Sequence, residues 1–414
     1  MIPALAGQGR SIRNATEGHN IGPLEGQFKP PLEVVVGDLA WNNIMKEQQM
    51  SKDNSWQFDL EEYIRQGEPD QAEKSTAWKT AIGLQDVDGL KTSAYLLETA
   101  KEHIEGKIDI VTAQKHIQSY YEERRDRRET EADTMEADIV SARITELLSE
   151  KTFQFSPAEW QAIHRRLFTG VFDHAGQFRT YNITKKEWVL KGETVYYASY
   201  GSIKETLDYD FRQEKEFSYE GLSAAESVNR IAKFTAGIWQ IHPFDEGNTR
   251  STAVFIIKYL KTFGFTIRND VFAENSWYFR NALVRANYND HHNNVYATTE
   301  YLERFFENLL LGYKNELKNR YLHVDYFSKK ESAVQSATNT ILKCKNCTLE
   351  ESALLRAIAE NPFATQKELA SMIGKSERTV KTRTVELQKK GYLRRENGKR
   401  NGRWEVLISL SDVE

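Results

Sequence analysis

A ten-residue segment, IHPFDEGNTR at 241–250, restricts the fold of this chain more than any other feature. An apolar helical pattern that ends near Trp239 leads into it, and a second pattern from Val254 to Leu260 leaves it. Pro243 helps to end the first helix, and Gly247 allows backbone geometry that is closed to other residues. The segment is therefore predicted to be a tight loop between two buried helices.

The same loop carries residues suited to phosphate chemistry. His242 can accept a proton, an acid such as Glu246 can hold Mg²⁺, and Arg250 can bind a phosphate. The second helix begins just after Gly247, so its unpaired amides form an anion site. Taken singly, the His could be a helix cap, and the acids could be favoured by the helix dipole. Their occurrence within nine residues supports nucleotide chemistry on a helical scaffold.

The loop resembles the signature of the Fic family, H-P-F-x-[D/E]-G-N-x-R, from His242 to Arg250. The lead-in IHRRLFTGVFDHAGQFRTYNI (163–183) also resembles that family, and the resemblance covers roughly residues 130–312. It implies a mainly α fold, in which a Fic-type helical core carries a β-hairpin flap. It also implies transfer of AMP from ATP to a hydroxyl of a target protein, with Mg²⁺.

The resemblance assigns roles to individual residues. His242 is implied as the general base, Glu246 as the Mg²⁺ ligand and Phe244 as an anchor of the loop. The residues implied at the nucleotide phosphates are Gly247, Asn248, Thr249 and Arg250.

A flap is predicted at YNITKKEWVLKGETVYYA (181–198), where β-branched and aromatic residues flank Lys191-Gly192-Glu193. A glycine in a short connection between two such runs is typical of a β-hairpin. The resemblance implies that the edge of this flap pairs with an extended segment of the target. The candidate target-binding residues are Ile183, Thr184, Trp188 and Val189.

Two positions depart from the family pattern. Thr249 stands where AMP-transferring members mostly have Gly and the kinase-like Doc branch has Lys. Ala253 stands where many members have a second Arg, which contacts the γ-phosphate. Either another group orients ATP, or the donor is a different nucleotide or phosphorylated metabolite.

Helical patterns around 73–86, 93–104 and 110–123 precede the core. Residues 77–125 resemble the small helical antitoxins of Fic toxins, whose inhibitory motif is [S/T]-x-x-x-E-[G/N]. The aligned residues are Leu84, Asp88 and Gly89, so strong inhibition is expected to be absent or to use a weaker contact. Asp88-Gly89 could also be a helix-ending turn with a left-handed glycine. A rival candidate for the motif is Thr16-Glu17-Gly18.

The C-terminal block is strongly basic. Residues 364–404 hold 12 Lys and Arg against 4 Glu, a local charge of +8 in a chain of net charge −4. The order helix, turn, helix, then hairpin predicts a winged helix with a wing from Arg394 to Arg403. DNA contact is favoured over a protein-docking or dimer role. The candidate DNA-binding residues are Arg378, Lys381, Arg383, Arg394 and Arg395.

The predicted organisation has five parts: an N-terminal extension (1–72), antitoxin-like helices (73–125), the core (130–312), a linker helix (313–350) and the winged helix (351–414). The longest apolar runs are about five residues, which predicts a soluble cytoplasmic protein with no membrane partner. The lone CxxC of Cys344 and Cys347 is a weak signal for zinc or redox chemistry. Self-modification and a homodimer stay open, and the alternative function is a non-catalytic regulator that binds DNA.

Overall fold

A computed structural model of the chain describes residues 55–123, 131–263, 270–326, 347–396 and 402–407. This part of the chain is mainly helical, and its one sheet has two strands. None of its helices combines the length and the apolar character that a bilayer crossing requires. The predicted extension up to residue 54, with the rival motif at Thr16-Glu17-Gly18, lies outside the described residues.

Four helices come first in the described chain: α1 (Ser55–Gln66), α2 (Pro69–Gly83), α3 (Ala94–Ile104) and α4 (Ile110–Glu122). A 3₁₀ turn, Leu84–Asp88, extends α2. The last three helices match the predicted antitoxin-like pattern, whereas α1 was not predicted. Helix α1 is held by tertiary contacts, because Leu60 joins the hydrophobic cluster around Trp78 and the Ser75 hydroxyl donates to the Leu60 carbonyl (2.8 Å).

Seven helices follow: α5 (Ala132–Ser149), α6 (Pro157–Phe168), α7 (Ile203–Glu216), α8 (Ala224–Ile241), α9 (Asn248–Thr262), α10 (Asp270–Ala286) and α11 (Glu300–Leu311). Side-chain caps begin several of them, such as Ser223, which accepts from the Glu226 N–H at the start of α8. These helices share one hydrophobic core that also includes Ala77, Ala81 and Leu84. Helix α2 is therefore part of the same core as the candidate loop.

The flap segment doubles back on itself without forming strands. The Glu187 N–H donates to the Glu193 carbonyl (2.9 Å), and a 3₁₀ turn spans Trp188–Leu190. Val189 and Leu190 are both buried, so the alternation of inward and outward side chains that a strand needs is lost. The β-hairpin expected here is thus replaced by a looped flap.

The C-terminal residues form a separate core around Leu354, Leu369, Val380, Leu387 and Trp404. Its elements are α12 (Leu349–Glu360), α13 (Gln366–Met372), α14 (Glu377–Lys389), β1 (Leu393–Glu396) and β2 (Arg403–Val406). The strands pair antiparallel, with Leu393 opposite Val406. This confirms the predicted winged helix-turn-helix arrangement, with wing residues 397–401 outside the described part.

The connection to that domain differs from the predicted linker helix. Gly312 adopts a left-handed conformation (φ 66°) and ends α11, and the Asn308 side chain then bonds to the backbone of Asn315. Residues 313–326 contain only the 3₁₀ turn Asn319–Leu322. Residues 327–346, including Cys344, are outside the described chain.

Candidate functional site

The loop between α8 and α9 is held in one conformation by its own residues. His242 ends α8 in a left-handed conformation (φ 49°, ψ 60°). Gly247 is also left-handed (φ 74°), and a Cβ at this position would lie 2.4 Å from the ring of Phe168, so only glycine fits. The Asn248 side chain donates to the Phe244 carbonyl (2.7 Å) and accepts from its N–H (3.0 Å). These contacts hold both ends of the loop.

His164, which the sequence did not single out, packs against the loop and hydrogen-bonds to its backbone. Its ring stacks on buried Phe244 with 3.7 Å between centroids, in agreement with the anchoring role expected of Phe244. Its Nδ1 accepts from the Gly176 N–H (2.9 Å), so its Nε2 carries the proton and donates to the Glu246 carbonyl (2.9 Å). Burial lowers the pKa of His164 to about 4, which keeps the ring neutral.

His242 is only 3% exposed. Its ring lies beside those of Tyr197 (4.3 Å between centroids) and Trp239 (5.2 Å), and neither ring nitrogen has a hydrogen-bond partner among the described residues. Burial, and then the nearby positive charge of Lys185, lowers the pKa of His242 well below its ordinary value. The imidazole is therefore neutral at physiological pH and able to accept a proton.

Arg179 ties the loop to the flap. Its guanidinium donates to the carbonyls of His242 (2.8 Å) and Ile241 (3.2 Å), and also to those of Tyr181 (2.7 Å) and Ala198 (2.5 Å). These carbonyls include the end of α8 and both sides of the flap. A single buried residue thus fixes the position of His242 relative to the flap; it lies in the lead-in 163–183, but the sequence did not single it out.

Arg250, at the first turn of α9, is 2% exposed and surrounded by acceptors. Its Nε lies 2.7 Å from Asp88 Oδ2, its Nη2 donates to Glu136 (2.6 Å) and its Nη1 donates to Gln85 (3.1 Å). The sequence had predicted Asp88 but neither Glu136 nor Gln85. Ala253, at the position of the missing second Arg, is fully buried. Asp88 therefore contacts the arginine of the signature itself.

Gly89 follows Asp88 with a left-handed backbone (φ 71°) and ends the 3₁₀ turn. Its N–H donates to the Asp86 carbonyl (3.1 Å), and the next N–H donates to Gln85. Asp88-Gly89 is therefore a helix-ending turn and also the source of an ion pair, because the turn places Asp88 next to Arg250.

A cavity of about 840 Å³ opens beside Arg250. The Glu246 carboxylate lines it, with a side chain that is 56% exposed, and accepts from Lys185 Nζ at 3.0 Å. No group of three metal-ligating side chains occurs among the described residues. One accessible carboxylate nevertheless suits Mg²⁺, whose other ligands in nucleotide sites are phosphates and water. The remaining lining residues are Asp86, Val87, Asp88, Gly89, Leu90, Lys91, Glu136, Phe172, Trp277 and Arg280.

Three of the four residues predicted at the phosphates do not line this cavity. Asn248 is engaged with Phe244, and the Thr249 hydroxyl accepts from Trp239 Nε1 (3.1 Å) in the core. Gly247, with its left-handed backbone, forms the turn that precedes α9. Arg250 alone among the four faces the cavity.

The four predicted flap residues are divided between surface and core. Thr184 and Trp188 are exposed, and Ile183 is half-buried. Val189 is buried, and its carbonyl accepts from the Val324 N–H (2.9 Å), so its side chain is unavailable to a target.

The five predicted DNA-binding residues also differ from one another. Arg378 and Lys381 are exposed on α14, with no ion pair to any described residue. Arg383 pairs with Glu350 (3.1 Å) and Glu386 (2.8 Å). Arg394 pairs with Glu405 (2.5 Å), and the Arg395 guanidinium lies 4.6 Å from the Trp404 ring centroid.

Comparisons with known proteins find matches for two parts of the chain. Residues 154–260 match the Fic/DOC family, and residues 351–394 match the family described as winged helix-turn-helix DNA-binding. Over 144 residues the chain is 29% identical to a Sinorhizobium fredii (strain NBRC 101917 / NGR234) protein named "Probable protein adenylyltransferase y4lH", a match that covers 34% of this chain and 69% of that protein. A crystal structure of a Fic family protein from Desulfovibrio desulfuricans G20 aligns over 92% of this chain and 99% of its own, with 13% identity and a TM-score of 0.38, too low to establish a common fold.

Proposed function

We propose that this chain, which contains a Fic/DOC domain at 154–260 and a winged helix at 351–394, is a protein adenylyltransferase. It would transfer AMP from ATP to a Ser, Thr or Tyr hydroxyl of a target protein. The observation that carries the proposal is the neutral, buried His242, whose ring nitrogens have no partner among the described residues, at the end of α8 and one short loop before Arg250 in α9. The relative from Sinorhizobium fredii bears a name of the same activity.

The chemistry follows from these groups. The acceptor hydroxyl oxygen bonds to the α-phosphorus of ATP, its proton passes to a ring nitrogen of His242, and the bond to the pyrophosphate breaks. Arg250 would bind the negative charge of the leaving pyrophosphate. Bound Mg²⁺, held through Glu246, would neutralise part of the charge on the phosphates. Thr184 and Trp188 would offer the exposed part of the flap to the target segment.

The decisive experiment incubates the full chain with Mg²⁺ and α-³²P-labelled ATP, with and without cell extract, and follows label on protein. His242→Ala should abolish labelling, because it removes the proposed base. His292→Ala removes an exposed loop histidine and should label as the unmodified chain does. Equal labelling by the His242→Ala protein would contradict the proposal, and γ-labelled ATP distinguishes AMP transfer from phosphate transfer.

Asp88 is proposed to act as an internal inhibitor of this activity. The Asp88 and Glu136 carboxylates together neutralise Arg250, the group that would otherwise bind pyrophosphate. Asp88→Ala should therefore raise labelling in the same assay, by roughly tenfold for one charge-assisted contact released. Asp86→Ala is the matched control, because Asp86 lines the cavity, whereas the carboxylates that pair with Arg250 among the described residues are those of Asp88 and Glu136. An equal rise in both variants would show a general charge effect instead.

A second function, DNA binding by the winged helix, is favoured by one observation. Arg378 and Lys381 lie about one helical turn apart on the exposed side of α14, the second helix of the helix-turn-helix. Fluorescence anisotropy with a labelled duplex at several salt concentrations tests it. Binding that weakens steeply with salt supports phosphate contact, and no binding at low salt would exclude this role.

A further inference from the structure

The cavity beside Arg250 gathers cations from separate parts of the chain. Lys185 comes from the flap, Arg250 from α9 and Arg280 from α10, and Lys91 follows the 3₁₀ turn Leu84–Asp88. Four acids also line it, so that its formal charges balance. An anion that entered would have to take over cations that are now held by acids.

Some of the acids that pair with these cations line the cavity, and one does not. Asp88 and Glu136 hold Arg250, and Glu246 holds Lys185, all from within the cavity lining. Arg280 is different, because its partner Glu187 is fully buried and does not line the cavity.

The pair of Arg280 and Glu187 is bidentate, with N–O distances of 2.6 and 3.2 Å. Two of the five guanidinium N–H groups are used in this way, which leaves three for another acceptor. Trp277, one turn earlier on α10, supports the same guanidinium at 5.2 Å from its ring centroid. Arg280 is therefore a preoriented donor at the cavity wall.

Arg280 is also linked to the proposed base, because its partner Glu187 accepts from the Tyr197 hydroxyl (3.2 Å) and the Tyr197 ring lies beside that of His242 (4.3 Å between centroids). The charge of Lys185, and to a lesser degree that of Arg280, contributes to the lowered pKa of His242, after burial.

We infer that Lys185 and Arg280, together with Arg250, bind the phosphate chain of the donor and make the site selective for nucleoside di- and triphosphates over monophosphates. Side chains from three separate elements around one cavity match an extended polyanion rather than a single phosphate. The inference rests on the proposed function and names the residues that would determine its donor.

The test measures nucleotide binding, not transfer. Calorimetric titrations with AMP, ADP and ATP use the full chain carrying His242→Ala, which prevents turnover, and Asp88→Ala, which removes one of the two carboxylates paired with Arg250. We expect Lys185→Gln in this background to weaken ATP binding about 10-fold or more, the effect of a charge-assisted hydrogen bond, and AMP binding less than about threefold. Lys186→Gln, which removes the neighbouring exposed lysine, should leave all three affinities unchanged.

Arg280 needs a paired substitution, because Arg280→Gln alone would strand the buried Glu187 carboxylate. Glu187→Gln with Arg280→Gln removes both charges, and it should reduce the preference for ATP over AMP about as strongly as Lys185→Gln. Glu187→Gln alone keeps Arg280 and should keep the preference. If both the Lys185→Gln and the paired variants discriminate ATP from AMP as the background protein does, the inference is overturned while the proposed function stands. If no nucleotide binds the background protein, both fail.

Discussion

The cations of the cavity and those of the winged helix have opposite surroundings. In the cavity, Arg250 and Arg280 are largely buried, and each meets a carboxylate from a distant part of the chain. In the winged helix, Arg394 pairs with a neighbouring strand residue at the surface, and Arg378 and Lys381 face solvent without an ion pair to the described residues. A lysine or arginine in the sequence is therefore not by itself a binding site for an anion, because its charge can already be paired with a carboxylate of the same chain.

The physical reason is the cost of desolvation. A buried guanidinium loses its water and needs a carboxylate or several acceptors in exchange, whereas an exposed one keeps its hydration. The anion site of the core is thus formed with its own acids in place, and the surface of α14 needs no such partner. An anion that binds in the cavity would have to displace the acids there. An anion that binds at the surface of α14 would displace only counterions.

The largest expected difference between the two regions is in the free energy of unfolding, and two arginine substitutions test it. Arg280→Met leaves Glu187 buried and uncompensated, and should lower the free energy of unfolding by about 3–5 kcal/mol. Arg394→Met breaks an exposed pair and should lower the free energy of unfolding far less, because solvent screens that pair. Urea denaturation followed by circular dichroism measures both. Equal effects would show that burial does not separate the two regions.

Acidification should also separate the regions. His164 has a native pKa of about 4, and its ordinary value is 6.5, so the unfolded chain binds the proton first. The stabilisation is complete above pH 6.5 and is lost as the pH falls, by about 2 kcal/mol at pH 5. Residues 351–414 contain no histidine and should show no such loss.

The measurement compares unfolding free energies at pH 7 and pH 5. His164→Asn should reduce the difference between the two pH values by about 2 kcal/mol, and His292→Asn, in an exposed loop, should not change it. His242 acts in the same direction, because burial lowers its pKa too. A pH dependence that His164→Asn leaves intact would assign it to other groups.

The smallest expected effect concerns the two kinds of cation within the winged helix. Removing Arg378 and Lys381 together should weaken binding to a DNA duplex roughly tenfold at low salt and reduce the salt dependence by about two phosphate contacts. Removing Arg383 and Arg394, which are held by acids, should have a smaller effect. Anisotropy titrations over a range of salt concentrations measure both, and the reverse order would show that DNA displaces these acids.

Local patterns predicted much of the fold. The three antitoxin-like helices, the loop at 241–250 and the order of elements in the winged helix were readable from periodicity, turns and caps. The β-hairpin of the flap and a helix over 313–326 were predicted incorrectly, because Val189 and Leu190 enter the core and Gly312 ends α11. Helix α1 was missed because its stability depends on packing against Trp78.

The sequence by itself indicated the chemistry proposed for the candidate loop, since His242, Glu246 and Arg250 lie within nine residues and their residue types suit the proposed roles. Only the tertiary structure decided their partners. Arg250 meets Glu136 from 114 residues away, and Arg280 meets Glu187 from 93 residues away. Such pairs arise because buried charges must be neutralised wherever the packing of helices brings them together, and no local pattern records which distant residue will do so.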